Sequence, residues 1–358
     1  MEPVDLTSPF EANQSATDKQ QEKYSLLIDV YSVRVKVITE SEFVFNNLAK
    51  DFQLFVVSDE KQGRPQVKMS VCLKAPPYER IPPVVAALHG EGLICYKDGN
   101  ISYVVYSQGG LLVYDFKSEC GELFCENSLF LYEKIKITIL SRIGELLDRR
   151  GLHRIHAFAV ARKNKALMCL MPMEGGKTTT MLNLLRMDPD VSVIADDVCL
   201  IDRHGRIFPF LLRVGARDQD LVENISSDLV TSIDRPKFGL KYFIDLNFFK
   251  GRIATPMRLT HIMIGRRAFR DKTEIKPLAK IKCIMPMIES GVFGLGLPQL
   301  LEFFVRGDFK IMAVRIGIIL KRVVFCIALL SRAKTCIITI GRNKRSSCGE
   351  ILRFLKGS

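Results

Sequence analysis

The stretch Ala166-Leu-Met-Cys-Leu-Met-Pro-Met-Glu-Gly-Gly-Lys-Thr-Thr-Thr180 decides how this 358-residue chain is read. Residues 166–171 are an uninterrupted apolar run, the pattern of a strand buried on both faces. A glycine loop ending in Gly175-Gly-Lys-Thr178 follows at once, and residues 179–187 read as a helix closed by Asp188-Pro189. Val191-Ser-Val-Ile-Ala-Asp-Asp-Val-Cys-Leu-Ile201 is then a second apolar strand carrying two adjacent carboxylates. Strand, glycine loop with Gly-Lys-Thr, helix and acidic strand is the order that a nucleotide phosphate site requires.

The chemistry of each position is specific. Backbone N–H groups of a glycine loop and of a first helical turn converge on phosphate, where the helix dipole also favours negative charge. Glu174, Gly175, Gly176, Lys177, Thr178 and Thr179 are the residues expected to contact the phosphates, with Lys177 supplying the cation. Thr178 offers a hydroxyl to Mg²⁺, and Asp196 or Asp197 the facing carboxylate. Neighbours on a strand point to opposite faces, so the two acids are expected to differ in role. The first position of the full G-x-x-x-x-G-K-[ST] pattern is Met171 rather than glycine, so the pattern is incomplete.

Working outward, His153-Arg-Ile-His-Ala-Phe-Ala-Val160 alternates as a strand, and residues 128–150 have helical apolar spacing up to Gly151. Residues 24–116 hold short apolar, β-branched and aromatic runs between turn residues, which predicts strands and hairpins. Residues 1–23 are polar, read as a solvated tail with no secretory signal. Ten cysteines without Cys-x-x-Cys spacing and only five histidines argue against a structural zinc site and for reduced thiols in a cytoplasmic protein.

The strand with His156, the loop Gly175-Gly-Lys-Thr178 and Ala195-Asp-Asp197 together resemble the HPr kinase/phosphorylase family, over about residues 152–217. The resemblance implies a mixed-sheet, phosphoenolpyruvate carboxykinase-like α/β nucleotide-binding fold that uses ATP and Mg²⁺. It implies that Lys177 holds the phosphates and that Thr178 with one of the acids, Asp197 in the favoured assignment, holds Mg²⁺. The other acid would accept the proton of a substrate hydroxyl, with His156 near the reacting phosphoryl group. The glutamate that bacterial members carry after the P-loop hydroxyl residue is replaced by Thr179. Beyond the acids, Arg213, with Arg217 near the same sheet edge, is the candidate for stabilising transferring charge, and Lys237 and Lys241 are weaker cations of the same kind.

The formal net charge of +13 is unevenly distributed. Residues 251–358 hold 21 Lys+Arg against 6 Asp+Glu, whereas residues 1–250 hold 31 against 33. The basic region 266–345 predicts contact with an anionic membrane surface or a polyanion. Within it, residues 311–330 read as an amphipathic helix with Arg315 and Arg322 on its solvated side, and 299–306 as a shorter helix after a glycine-rich turn. The expected organisation is a tail (1–23), a β-rich part ending in a long helix (24–150), a kinase-like core (151–267) and a helical, basic C-terminal part (268–358). The expected activity is transfer of the γ-phosphoryl group of ATP to a hydroxyl of a protein serine or small molecule, in a protein that is cytoplasmic or peripheral at a membrane, with oligomerisation open. The alternative is an inactive nucleotide-binding regulator or scaffold whose basic end binds an anionic partner.

Overall fold

The computed structural model describes residues 24–58, 63–172, 174–235, 239–269, 272–293, 309–342 and 344–357. The expected tail and the helix expected at 299–306 lie outside these. The chain is mixed α/β and divides into two compact units, residues up to 49 with 55–143, and residues 50–54 with 144–358. The boundary therefore falls at Ile143/Gly144, inside the helix Ser128–Arg149, rather than at 150.

The first unit is built on an eight-stranded sheet. In chain order its strands are β1 (Tyr24–Val30), β2 (Val33–Thr39), β3 (Val67–Cys72), β4 (Ala86–Gly90), β5 (Leu93–Asp98), β6 (Ile101–Tyr106), β7 (Gly110–Asp115) and β8 (Cys120–Phe124). Their spatial order is β1-β2-β3-β8-β7-β6-β5-β4. Tyr31 and Ser32 link β1 to β2 with φ of 49° and 70°, the positive values that a two-residue hairpin turn demands. The pairs β2/β3 and β3/β8 are parallel, and β4 to β8 form an antiparallel meander.

The second unit holds the glycine loop 174–178. Its strands are β9 (Leu152–His156), β10 (Phe158–Arg162), β11 (Lys165–Leu170), β12 (Val191–Ala195), β13 (Val198–Asp202), β14 (Arg206–Phe208), β15 (Val214–Ala216), β16 (Val230–Arg235), β17 (Gly239–Ile244), β18 (Met257–Arg258), β19 (His261–Arg267), β20 (Glu274–Pro277) and β21 (Lys334–Ile340). They form a central six-stranded sheet in the order β12-β10-β11-β19-β21-β20, a four-stranded sheet β18-β14-β13-β9 and a three-stranded sheet β15-β17-β16.

Alternation along the central strands makes three layers. Phe158 and Val160 of β10, Leu167 and Cys169 of β11, Met263 of β19 and Cys336 of β21 pack with Met181 and Leu185 of the helix Lys177–Met187 and Ile351 and Leu355 of the helix Lys344–Gly357. The opposite face, with Ala159, Met168, Leu170, Ile262 and Ile264, packs with Cys283 and Met287 of the helix Lys280–Ile288 and Phe325, Cys326 and Leu329 of the helix Phe309–Arg332. Both faces of the sheet are covered, which is why β11 is a continuous apolar run. Residues 268–358 are therefore not a separate basic region: they supply β20, β21 and helices to both outer layers. No helix among the described residues is long and apolar enough to cross a membrane.

Arg322 departs from its expected solvated position. It is 3% exposed, and its guanidinium is paired with Asp148, a fully buried carboxylate that also meets Arg154 at 3.1 Å. The helical pattern alone assigns charge to the outside; a counter-charge 174 residues away brings this arginine in. All ten cysteines are free, and burial pushes the thiols of Cys336 and Cys348 up to about 12 and about 11, which leaves them inert.

Candidate functional site

Two strands that read as continuous in the sequence are each broken. Residues 152–162 pass from the four-stranded sheet to the central sheet at Ala157, so β9 pairs with β13 while β10 pairs with β12. Residues 191–202 make the same passage at Asp196-Asp197. The two breaks face each other, since His156 is opposite Val198 and Ala159 opposite Ala195. The result is a corner at which His156, Asp196 and Asp197 come together beside the first turn of the helix Lys177–Met187.

The loop before that helix turns tightly. Gly175 N donates to Pro172 O at 3.0 Å, and Thr180 N to Gly176 O at 2.9 Å to start the helix. Gly176 caps the helix with φ 90°, a left-handed value that favours glycine, and Glu174 has φ 60°. Lys177 is buried, with Nζ donating to the carbonyls of Met171 at 3.3 Å and Pro172 at 3.2 Å. Burial lowers its pKa, and Asp197 and Asp196 oppose that shift by favouring the charged form.

The two acids do not lie on a strand as expected but in the break between β12 and β13, and they differ in environment. It is Asp196, not Asp197, that meets Thr178: Thr178 Oγ1 donates to Asp196 Oδ2 at 3.1 Å. Asp196 Oδ1 is buried without a hydrogen-bond partner, whereas the side chain of Asp197 is 65% exposed. Burial, with the neighbouring Asp197 carboxylate, pushes the Asp196 carboxyl up to about 7. An orphaned carboxylate oxygen next to a threonine hydroxyl suits a hard divalent cation such as Mg²⁺, which takes oxygen ligands. Among the described residues no group of three or more His, Cys, Asp or Glu could hold a metal by itself.

His156 Nδ1 lies 3.0 Å from the carbonyl oxygen of Asp197, which can only accept, so the ring proton is on Nδ1. Nε2 is buried without a partner. Burial, helped by the Lys177 charge, lowers the pKa of the imidazole and keeps it neutral near pH 7. His156 thereby ties down the main chain of the corner.

Several candidates lie elsewhere. Arg213, expected to stabilise transferring charge, is 5% exposed, bonded through Nε to Asp51 Oδ1 at 3.0 Å and stacked on Phe243 at 4.5 Å. It is a buried ion pair of the fold, invisible to local reading because Asp51 is 162 residues away. Arg217 pairs with Glu174 of the loop itself. Lys241 is close enough to Asp196 to favour its ionised form; Lys237 lies outside the described residues. Thr179 lines a cleft on the far side of the loop together with Arg267, the last residue of β19. Arg267 Nε donates to Gly175 O at 3.2 Å. Sequence reading counted it in the basic run, although an apolar run 261–265 ending in two arginines marks the end of a buried strand.

Met171, the departure from the glycine pattern, is 4% exposed and packs in the core below the loop. Its Cγ lies 2.6 Å from where a Cβ on Gly265 of β19 would stand. The absence of a side chain on Gly265 leaves room for the methionine, which fills that space. Met171→Gly is therefore expected to cost about 2–5 kcal/mol in a denaturant melt without raising nucleotide affinity. Stability unchanged within about 0.5 kcal/mol, the range of a neutral surface change, would count against this account.

No protein-family model and no curated protein sequence matches the chain.

Proposed function

We propose that the chain binds ATP with Mg²⁺ at the loop 171–178 and transfers the γ-phosphoryl group to a hydroxyl acceptor. The observation that carries this reading is the convergence of Lys177, Thr178, Asp196 and Asp197 at one corner, with a buried carboxylate oxygen unpartnered. The loop amides and Lys177 bind the phosphate chain. Thr178 and Asp196 would hold the cation, and the chemistry it would supply there is neutralisation of phosphate charge.

Asp197, exposed next to this site, accepts the proton of the acceptor hydroxyl as its oxygen bonds to the γ-phosphorus. The bond from that phosphorus to the bridging oxygen breaks, and ADP leaves with the electron pair. Catalysis of this kind is mostly positioning and electrostatics. The mixed-sheet core with its P-loop-like turn is in keeping with a phosphoenolpyruvate carboxykinase-like fold related to HPr kinase, and we propose that relationship on the motif set alone.

The basic C-terminal third has a mixed use. Arg322 is spent on Asp148, Arg332 on the carbonyl of Arg203 and Lys356 on Asp188, so these charges serve the fold. Exposed Lys272, Lys282 and Lys321 remain for an anionic partner or acceptor, membrane surface included.

The test is calorimetric binding of MgATP together with transfer of labelled γ-phosphate into a cell extract. Lys177→Ala is expected to weaken MgATP by about 10–100-fold, the worth of one charge-assisted contact, and to remove the labelled product. Absence of MgATP binding by the wild type would refute the reading; binding without any transfer would leave a nucleotide-responsive regulator instead of a kinase.

A further inference from the structure

The helices Lys280–Ile288 and Phe309–Arg332 form one outer layer of the second unit, packed on the central sheet and on each other. Lys280 Nζ donates to Ser331 O at 2.6 Å and Cys326 Sγ lies 3.7 Å from Met287 O, so the two run side by side in opposite directions. Cys283 and Met287 of the first and Phe325, Cys326 and Leu329 of the second are buried against the sheet. Ile281 and Met285 stand two residues from these, on the opposite side of their helix, and Leu320, Val324 and Ile327 do the same on theirs. All five are exposed, Ile281 by 71% and Val324 by 66%.

An amphipathic helix on a globular surface has an apolar inner side and a polar outer one. Here the outer side is apolar as well. A helix apolar all round is normally covered all round, and a contiguous exposed apolar patch rimmed by polar residues marks an interaction surface.

The charges at this face choose the partner. Neither helix contains an Asp or Glu, and the exposed Glu289 comes directly after the first. Lys282 and Lys321 are exposed beside the apolar positions. Lys280 and Arg332 are exposed at one end, where they donate only to neutral carbonyls, of Ser331 and Arg203. A second copy of the chain docked by the same face would set lysines against lysines. A polyanion such as nucleic acid would pair with the cations and leave the aliphatic side chains in water. An anionic bilayer takes both, because aliphatic side chains enter the acyl boundary while the lysine stems reach the charged head groups.

We infer that this two-helix face is a docking surface for an anionic phospholipid bilayer. The inference does not depend on the nucleotide site, and it narrows the anionic partner named above to a lipid surface. The helix Lys177–Met187 packs on the opposite face of the central sheet, so its layer stays turned to water when the protein is docked.

The experiment is co-sedimentation of the full chain with vesicles of phosphatidylcholine alone and of a two-to-one mixture with phosphatidylserine. The wild type is expected to bind the mixed vesicles at least about tenfold more tightly than the neutral ones, and progressively less as salt rises. Lys282→Gln with Lys321→Gln is expected to weaken that binding by about 30-fold, roughly fivefold for each lysine near the surface. Ile281→Glu with Val324→Glu is expected to weaken it by at least about tenfold. All four positions are exposed, so both variants should melt as the wild type does. Wild type that binds neither vesicle overturns the inference. Binding lowered by the lysine pair but untouched by the apolar pair means a polyanion site and overturns it too. So does a wild-type dimer that ignores vesicles and is dissociated by Ile281→Glu with Val324→Glu. MgATP binding is measured separately, so the nucleotide reading stands or falls without this result.

A second measurement reads the face directly. The chain contains no tryptophan, so Ile281→Trp places a single indole there. Its emission is expected to move to shorter wavelength with the mixed vesicles and to be quenched by brominated acyl chains. Emission unchanged by those vesicles overturns the proposal.

Discussion

Asp196→Asn is expected to reduce phosphoryl transfer by about 10²–10³-fold and, in the same protein, to raise the melting temperature above neutral pH. The two effects share one cause. Burial and the adjacent Asp197 raise the folded-state carboxyl of Asp196 to about 7, above its ordinary value of about 3.9. A carboxyl raised in this way contributes its full stability below about pH 4 and loses it as pH rises through about 7. Above that pH the folded protein carries a buried, unsatisfied charge, which asparagine does not. The gain should be absent at pH 4, grow between pH 4 and 7 and level off above, at about 2–4 °C per kcal/mol for a unit of this size. A melting temperature lowered at pH 8 would mean that the carboxylate is already satisfied in the fold; undiminished transfer would remove Asp196 from the cation site.

Asp148→Ala carries the largest expected cost to the fold. Asp148 is fully buried and receives Arg154 and Arg322, with His153 Nδ1 at 3.4 Å. Burial opposes its ionisation, and the two guanidinium groups prevail, holding the carboxyl down to about 2. Removal would leave two buried arginines facing each other, a loss of about 3–5 kcal/mol of the kind seen when one partner of a buried ion group is deleted. Gly144 belongs to the same arrangement, because a Cβ there would stand 1.9 Å from the Arg154 guanidinium. The pH sign is opposite to that of Asp196. The stability Asp148 contributes is present above about pH 4 and is lost as pH falls towards about 2. Denaturant melts from pH 2 to 7 should show that acid-side loss in the wild type and its absence in Asp148→Asn. A variant Asp148→Ala within about 0.5 kcal/mol of the wild type at pH 7 would refute this account.

Much of the site is legible from the chain because its parts are contiguous. The run 166–171, Gly175-Gly-Lys-Thr178 and the acids at 196 and 197 each announce themselves within a few residues. What local reading misses is set by distant partners. The break at Ala157 leaves no mark because the residues on both sides are apolar and buried whichever sheet they enter. Arg213 and Arg322 look like solvated cations until Asp51 and Asp148 are brought against them. The exchange between Asp196 and Asp197 as partner of Thr178 depends on which way the chain turns at the corner. Both acids lie in the break between β12 and β13, so strand periodicity does not set their directions and the turn does.

That corner is held from both sides. Two neighbouring strands leave one sheet and enter another at Ala157 and at Asp196-Asp197, and β18 runs on into β19 in the same way, so three crossings join the four-stranded sheet to the central sheet. Ile155, Cys199 and Ile201 of the one sheet share a single core with Ala159, Met168 and Ile262 of the other. The backbone between Ala195 and Val198 is therefore clamped at both ends, and the positions of Asp196 and Asp197 are set by packing well outside the loop that faces them.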